Sequence, residues 1–421
     1  MTWKRRILIA IGIGIFLGSF SRTVHDIYVD YRSAKGLIAA SGRPIGGDFV
    51  CFYVAGQAAA EDPGKLYDWE DGRKRQRALL NAPDGKEWIL PYAYPPPFAL
   101  LLIPFSKLAF LPANLAWIGF SLFLALLSVF LVLSQSRLDR RQRFFASLSL
   151  LAFTPFTLDC LAGGQTSAIG MLIVAGVYYL IKKGRDFAAG LVFGLGYYKP
   201  PLFFFLALVF LLQRRLRILG GAFFSGVSLL LLSIIYLGPD GFMDYLEKMS
   251  RYLYGREILP GIFLPAGKAV GLLSFLISNL SFNGTLAWIV FFIFLFSALL
   301  FYLRASSSFG PKTARNRLYD ISYALGVSLS LLLSVQMLNY DISIFFIPIL
   351  LVVEHLVRVQ IKLGMLIGCA LSFLFFFAPQ LVRQVQFSYI LVNPTMLIMV
   401  LWVIYLFYLI KNEPLSNNTC L

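Results

Sequence analysis

The chain has 421 residues, of which 58% are hydrophobic and only 14% charged, with a mean hydropathy of +0.75. Soluble globular domains carry roughly 25% charged residues, so this composition excludes water as the main solvent of the folded chain. A net charge of +16 would suit nucleic acid, but Lys and Arg fall in short clusters between apolar runs rather than along one soluble face; that excludes a nucleic-acid partner and makes the clusters determinants of membrane topology.

In chain order, Lys4-Arg5-Arg6 precede an apolar stretch from Ile7 to Phe20, and Gly18-Ser19-Phe20-Ser21-Arg22 offers no A-x-A-like cleavage site, so an uncleaved first helix is expected. A spanning helix needs roughly 20 apolar residues. Runs near 7–21, 113–134, 144–159, 166–181, 187–198, 200–212, 216–237, 284–304, 318–337, 341–357, 362–378 and 389–410 give about twelve. With the N-terminus inside, this parity places the clusters at 137–143, 182–185, 214–217, 312–317 and 358–362, and Lys411, all inside. The fold class expected is an all-α polytopic membrane protein, one transmembrane domain over 1–421, with both termini cytoplasmic. Two long segments fall outside, 22–112 and 238–267, and residues 412–421 form a polar cytoplasmic tail. The first outer loop holds ten of the 21 acidic residues, and a loop so long is expected to carry function or short interfacial helices of its own. Within it, Phe98–Phe110 reads as a short interfacial or re-entrant segment, because a full span there would throw the 137–143 cluster outside.

Several residues could carry chemistry on the outer side. Asp48, in Gly46-Gly47-Asp48-Phe49, fits two roles: a general base that takes the proton of an acceptor hydroxyl during sugar transfer, or the N-cap of a helix beginning near Phe49. Lys199, in Tyr197-Tyr198-Lys199-Pro200-Pro201, is a cation inside an apolar run; it fits a lipid phosphate or a snorkelling lysine. Proline there breaks the helix; a broken helix at membrane depth is tolerated only where protein or a wet cavity satisfies the backbone, so a cavity beside Lys199 is expected. Asp341 starts one span and Asp159 ends another, either facing a shared cavity or serving as helix ends. Gly163-Gly164-Gln165-Thr166-Ser167 opens a helix whose free amides suit an anion or a sugar hydroxyl. Tyr94, in Tyr92-Ala93-Tyr94-Pro95-Pro96-Pro97, offers an aromatic face to a sugar or prenyl chain, or belongs to the interfacial aromatic belt.

Four cysteines, Cys51, Cys160, Cys369 and Cys420, make no disulfide framework and show no metal-ligand spacing; Cys51 and Cys160 could pair, and unpaired burial is the preferred reading. With two histidines, His25 and His355, and no metalloprotease, nucleophile-elbow, Walker or Rossmann pattern, no metal or cofactor is called for.

The order of these pieces resembles glycosyltransferase family 87, within the GT-C membrane superfamily. The motifs are Gly47-Asp48-Phe49 with Tyr53 and Ala55, Lys65-Leu66-Tyr67, Tyr94 to Leu101 ending at Pro104, Gly164-Gln165, Ala189-Gly190-Leu191 through Lys199-Pro200, and Tyr340-Asp341 before Pro348. The likeness is strongest from Gly46 to Pro201. It implies a polyprenyl-phosphate hexose or pentose donor, commonly mannose, a glycolipid or glycan acceptor, and an acidic base in the first outer loop, which Asp48 matches. Some relatives place a histidine near the donor phosphate, whereas His25 and His355 are elsewhere here; Lys199, Gln165 or Asn339 would share that role. The function expected is therefore sugar transfer on the extracytoplasmic face of the cell membrane. Two rivals remain open, a flippase or transporter of lipid-linked sugars and a scaffold of an envelope-building complex.

Overall fold

A computed structural model of the protein describes residues 3–39, 42–81, 90–252, 257–259, 262–263, 270–278, 280, 283–306, 317–359, 367–368, 370–372, 374–376 and 394–412. Helices dominate: α1 (Trp3–Arg32), α2 (Phe49–Glu61), α3 (Trp69–Leu80), α4 (Pro96–Ser106), α5 (Phe110–Ser134), α6 (Arg140–Ser149), α7 (Ser167–Lys182), α8 (Asp186–Gly194), α9 (Phe204–Leu212), α10 (Leu216–Arg251), α11 (Leu272–Ser278), α12 (Gly284–Ser306), α13 (Arg317–Leu332), α14 (Phe346–Val359) and α15 (Pro394–Asn412). Among the described residues the only sheet is a two-stranded antiparallel ribbon, β1 (Glu257–Leu259) with β2 (Ile262–Phe263).

Among the described residues, four helices are long and apolar enough to cross a membrane: α5, α10, α12, and Asn339–Leu356, where a 3-10 turn runs into α14. A fifth passage is the pair Arg140–Ala152 and Pro155–Ala162, bent by 57°. Large apolar side chains stand exposed on these helices, such as Phe123 and Phe130 on α5, Ile235 on α10 and Phe296 on α12. An apolar surface this extensive belongs against lipid rather than water. Asn339–Leu356 is the inner helix, with 83% of its apolar window buried, packed on α5, α7 and α13.

The elements depart from the sequence expectation at identifiable places. Helix α1 runs on through Arg32, past the expected start of the loop at residue 22; an apolar run measures hydrocarbon thickness, not helix length, and the last turn is anchored where Asn114 of α5 donates to the Tyr31 hydroxyl at 3.0 Å. Runs 187–198 and 200–212 each hold a nine-residue helix, α8 and α9, about 14 Å long at 1.5 Å per residue, short of a ~30 Å hydrocarbon core. Between them Leu195–Tyr198 and Pro200–Leu202 are 3-10 turns, because Pro200 and Pro201 supply no amide donors. Run 144–159 bends ahead of Pro155, beyond which Pro155–Ala162 is a π-helix. Helix α10 breaks at Gly238 (φ 73°, ψ 166°) before Pro239 and resumes to Arg251, so the expected second outer loop opens with helix. Run 362–378 lies largely outside the described residues, as do residues 413–421. Helix α4 is 11 residues long, about 16 Å, too short to cross alone.

The tightest helix crossing pairs α8 with α10. A Cβ on Gly190 would lie 2.1 Å from the Ile218 carbonyl oxygen, and one on Gly221 would lie 2.2 Å from that of Phe187. One turn further, a Cβ on Gly194 would sit 2.7 Å from Ser225 Cβ. This is the small-xxx-small geometry that lets membrane helices touch backbone to backbone, here built from Gly190-Leu191-Val192-Phe193-Gly194. Gly190→Val should therefore separate α8 from α10 at a cost of about 1–3 kcal/mol or more; thermal unfolding in detergent should show a lowered midpoint, with Gly220→Val, whose Cβ meets nothing within 4 Å, as the silent control.

Candidate active site

Two glycine turns bring distant parts of the chain together. Ahead of α2, Gly46 (φ +77°) and Gly47 (φ +54°) are left-handed; ahead of α7, so is Gly164 (φ +65°), a conformation that costs glycine little. The turns interlock. A Cβ on Gly47 would lie 2.6 Å from the Gly163 carbonyl oxygen, and one on Gly164 would lie 2.1 Å from that of Gly46. The Asp48 amide donates to the Gly163 carbonyl at 3.0 Å. Trp117 of α5 locks the assembly, its indole N–H donating to the Gly164 carbonyl at 3.2 Å while its ring stacks on Phe49 with centroids 5.6 Å apart.

Asp48 is half-buried at the start of α2. Its side chain makes no N-cap hydrogen bond, and its own backbone is already helical (φ −71°, ψ −10°), whereas a capping residue usually lies outside the helical region. Instead Oδ2 accepts a hydrogen bond from the side-chain amide of Gln165, which is 4% exposed. The capping role does not describe this carboxylate.

The next two residues extend the chain of contacts. Thr166 Oγ1 and the Tyr94 hydroxyl are hydrogen-bonded at 3.1 Å, and Ser167 donates to Asp341 Oδ1 at 3.2 Å. Asp341 is fully buried; its Oδ2 accepts from Lys199 Nζ at 2.5 Å and from the Leu338 amide at 2.9 Å. Lys199, 9% exposed, also lies 4.7 Å over the Tyr340 ring, a favourable cation–π geometry. Three consecutive residues, Gln165-Thr166-Ser167, thus touch Asp48, Tyr94 and Asp341 in turn. Asn339 sits two residues ahead of Asp341 with its Oδ1 buried and without a hydrogen-bond partner among the described residues. Asp48, Tyr94, Gln165, Lys199, Asn339 and Asp341 thus fall in one contiguous region, whereas Asp159 lies within the π-helix Pro155–Ala162. Lys199 and Asp341 were read separately, and the structure makes them a pair.

Tyr94 is held by an extended strip with no strand paired to it among the described residues. Its alternate carbonyls accept from side chains instead: Leu90 from Gln76 at 2.9 Å, Tyr92 from the Trp69 indole at 3.1 Å, and Tyr94 from the Tyr67 hydroxyl at 2.7 Å. The ring of Tyr94 stacks on Phe98 and Tyr198. Burial pushes its phenol well above the usual tyrosine range; the Thr166 hydrogen bond lowers it, and Asp341, Tyr252 and Asp48 add to the rise. Tyr94 therefore stays a neutral donor between two carboxylates. Trp117 and Trp69 support the site without having been picked out, and Tyr67 stood only in the Lys65-Leu66-Tyr67 motif; an aromatic residue carries no signal in the sequence of where its N–H or O–H will point. Cys51 and Cys160 are buried free thiols. Among the described residues no group of three or more His, Cys, Asp or Glu side chains could hold a metal ion.

A family model, glycosyltransferase family 87, matches residues 92–334, more than half of the chain. The match includes Tyr94, Gln165 and Lys199 and stops short of Asp48 on one side and of Asn339 and Asp341 on the other, and these are joined to it by the contacts above. No curated protein and no solved structure matches the chain.

Breaking one side of a buried ion pair strands a charge, which costs about 3–5 kcal/mol, whereas replacing both partners by apolar groups is often neutral. Lys199→Met and Asp341→Leu should each lower the unfolding midpoint in detergent, and the double variant should recover most of the loss; additive losses would contradict the pairing.

Proposed function

The chain belongs to glycosyltransferase family 87, and from that premise we propose that it moves a hexose or pentose, mannose first among them, from a polyprenyl-phosphate carrier to a glycolipid or glycan acceptor. The observation that carries the reading is Asp48: a half-buried carboxylate, not used as a helix cap, oriented by a side-chain amide next to a cluster of polar and aromatic groups.

In this reading the acceptor hydroxyl gives its proton to Asp48 as its oxygen bonds to the anomeric carbon. The bond from that carbon to the phosphate oxygen breaks, and the electron pair leaves on the polyprenyl phosphate. A base placed within hydrogen-bond reach of the hydroxyl contributes about 10²–10⁴ to such a rate. The phosphate belongs on the side of Tyr94, Asn339 and Lys199. Lys199 arrives there already compensated by Asp341, so it presents a polarised pair rather than an isolated cation, with Tyr94 as a neutral donor and the aromatic rings of Phe98 and Tyr198 beside it. The accompanying topology has cytoplasmic termini, α8 and α9 as a half-length pair rather than two full passages, and the Asp48 side facing outward, where a lipid-linked donor enters laterally.

Asp48→Asn keeps the shape and removes the basic oxygen. The variant should stay folded and retain donor binding, while its transfer rate with radiolabelled polyprenyl-phosphate sugars and native lipid extract falls by about 10²–10⁴. Turnover near the wild-type rate would remove Asp48 as the base.

A further inference from the structure

We propose that Gln165 is a positioning residue for Asp48 rather than a ligand of the donor phosphate, an inference that rests on the reading of Asp48 as the base. Gln165 Nε2 already donates to Asp48 Oδ2. A phosphate brought to the same amide would set a second anion beside a carboxylate, a repulsion that works against binding. A carboxamide suits the positioning task because it donates to the charged carboxylate and takes up no proton itself.

The amide is also held from behind. The Gln165 backbone N–H donates to the Cys160 carbonyl at 2.8 Å, and its carbonyl accepts from the Cys160 thiol at 3.7 Å. Gly164 on one side is locked in the glycine interlock, and Thr166 and Ser167 on the other are committed to Tyr94 and Asp341. With Gln165 only 4% exposed, Asp48 is the member of the couple left to meet a substrate. Such a supporting residue fixes the rotamer of the one that reacts.

Among the described residues, groups that feel the Asp48 charge include Cys51 on α2, Tyr94 before α4 and Tyr252 after α10. Burial first, and the Asp48 charge among the further causes, pushes all three upward, so each stays neutral in the weakly acid and neutral range. Asp341 beyond Tyr94 is tied to Lys199. With Asp48 as the base, the kcat/KM profile has an acidic limb that depends on the base being unprotonated.

The test uses the full chain in proteoliposomes with whichever labelled polyprenyl-phosphate sugar the wild type turns over, comparing Gln165→Glu, Gln165→Met, Gln165→Asn and Asp48→Asn. Gln165→Glu sets a like charge against Asp48, which disfavours its ionised form; the acidic limb should move to higher pH by about one unit or more, with activity regained on the alkaline side. Gln165→Met keeps the volume and removes the donor, and kcat should fall by about 100-fold, the scale of a small misplacement of a reacting group, with donor KM nearly unchanged. Gln165→Asn, one methylene short, should lie between. An unmoved limb in Gln165→Glu, or a raised donor KM with kcat intact in Gln165→Met, would overturn the positioning role. An active Asp48→Asn would instead sink the base reading itself, a result separable from any behaviour of Gln165.

Discussion

The site depends on one close approach, the Gly46-Gly47 turn resting directly on the Gly163-Gly164 turn. Any side chain at Gly47 or Gly164 would occupy the space of the opposing backbone carbonyl. The gain from leaving out those side chains is register: the Asp48 amide finds the Gly163 carbonyl, and the two following side chains, Asp48 and Gln165, are delivered to each other. From that point the order of residues along the chain does the rest, since Thr166 and Ser167 follow Gln165 and reach Tyr94 and Asp341. A first-loop carboxylate and a helix-bundle ion pair are thereby set on one rigid segment.

Helix α7 is the element that carries this segment, and it is tied down electrostatically at both ends. At its start Ser167 donates to the fully buried Asp341, itself paired with Lys199. At its end Lys182 bridges to Asp320 at 2.8 Å, and the Tyr178 hydroxyl donates to the same carboxylate oxygen; a cation in the last turn also meets the negative end of the helix dipole. Buried charges cost several kcal/mol unless paired and hydrogen-bonded, and here each carboxylate receives more than one donor. A buried pair is by itself weak evidence of added stability; here the two pairs tie both ends of α7 to neighbouring elements.

How much of this was legible in the sequence depends on the range of the interaction. The long spans α5 and α12 and the membrane class follow from apolar runs whose signal is local. Lys199 was visible as a cation inside such a run, Asp48 and Gln165 as polar residues in glycine turns ahead of helices, Tyr94 in a tyrosine- and proline-rich segment, and Asp341 as an acid at a span's edge. That they share one region was not legible, because Lys199 and Asp341 are 142 positions apart and Asp48 and Gln165 are 117 apart, and periodicity says nothing of which distant turns meet. Hydropathy likewise failed to separate whole spans from half-length helices: Leu195 to Phe203 stays apolar except at Lys199, so 187–198 and 200–212 read as passages, while the prolines leave only nine-residue helices. The family match extends to residue 334, further than the motifs up to Pro201 in which the likeness was strongest, and it leaves out the Gly47-Asp48-Phe49 motif.

The central claim is chemical, that a sugar changes partners at this site rather than crossing the membrane on its lipid. The direct measurement follows a radiolabelled polyprenyl-phosphate sugar in proteoliposomes that contain the purified protein and native acceptor lipid, assaying released polyprenyl phosphate and labelled glycosidic product together. Release of one polyprenyl phosphate for each sugar appearing in product is the predicted result; movement of the intact labelled lipid between leaflets, with no glycosidic product formed, would contradict it.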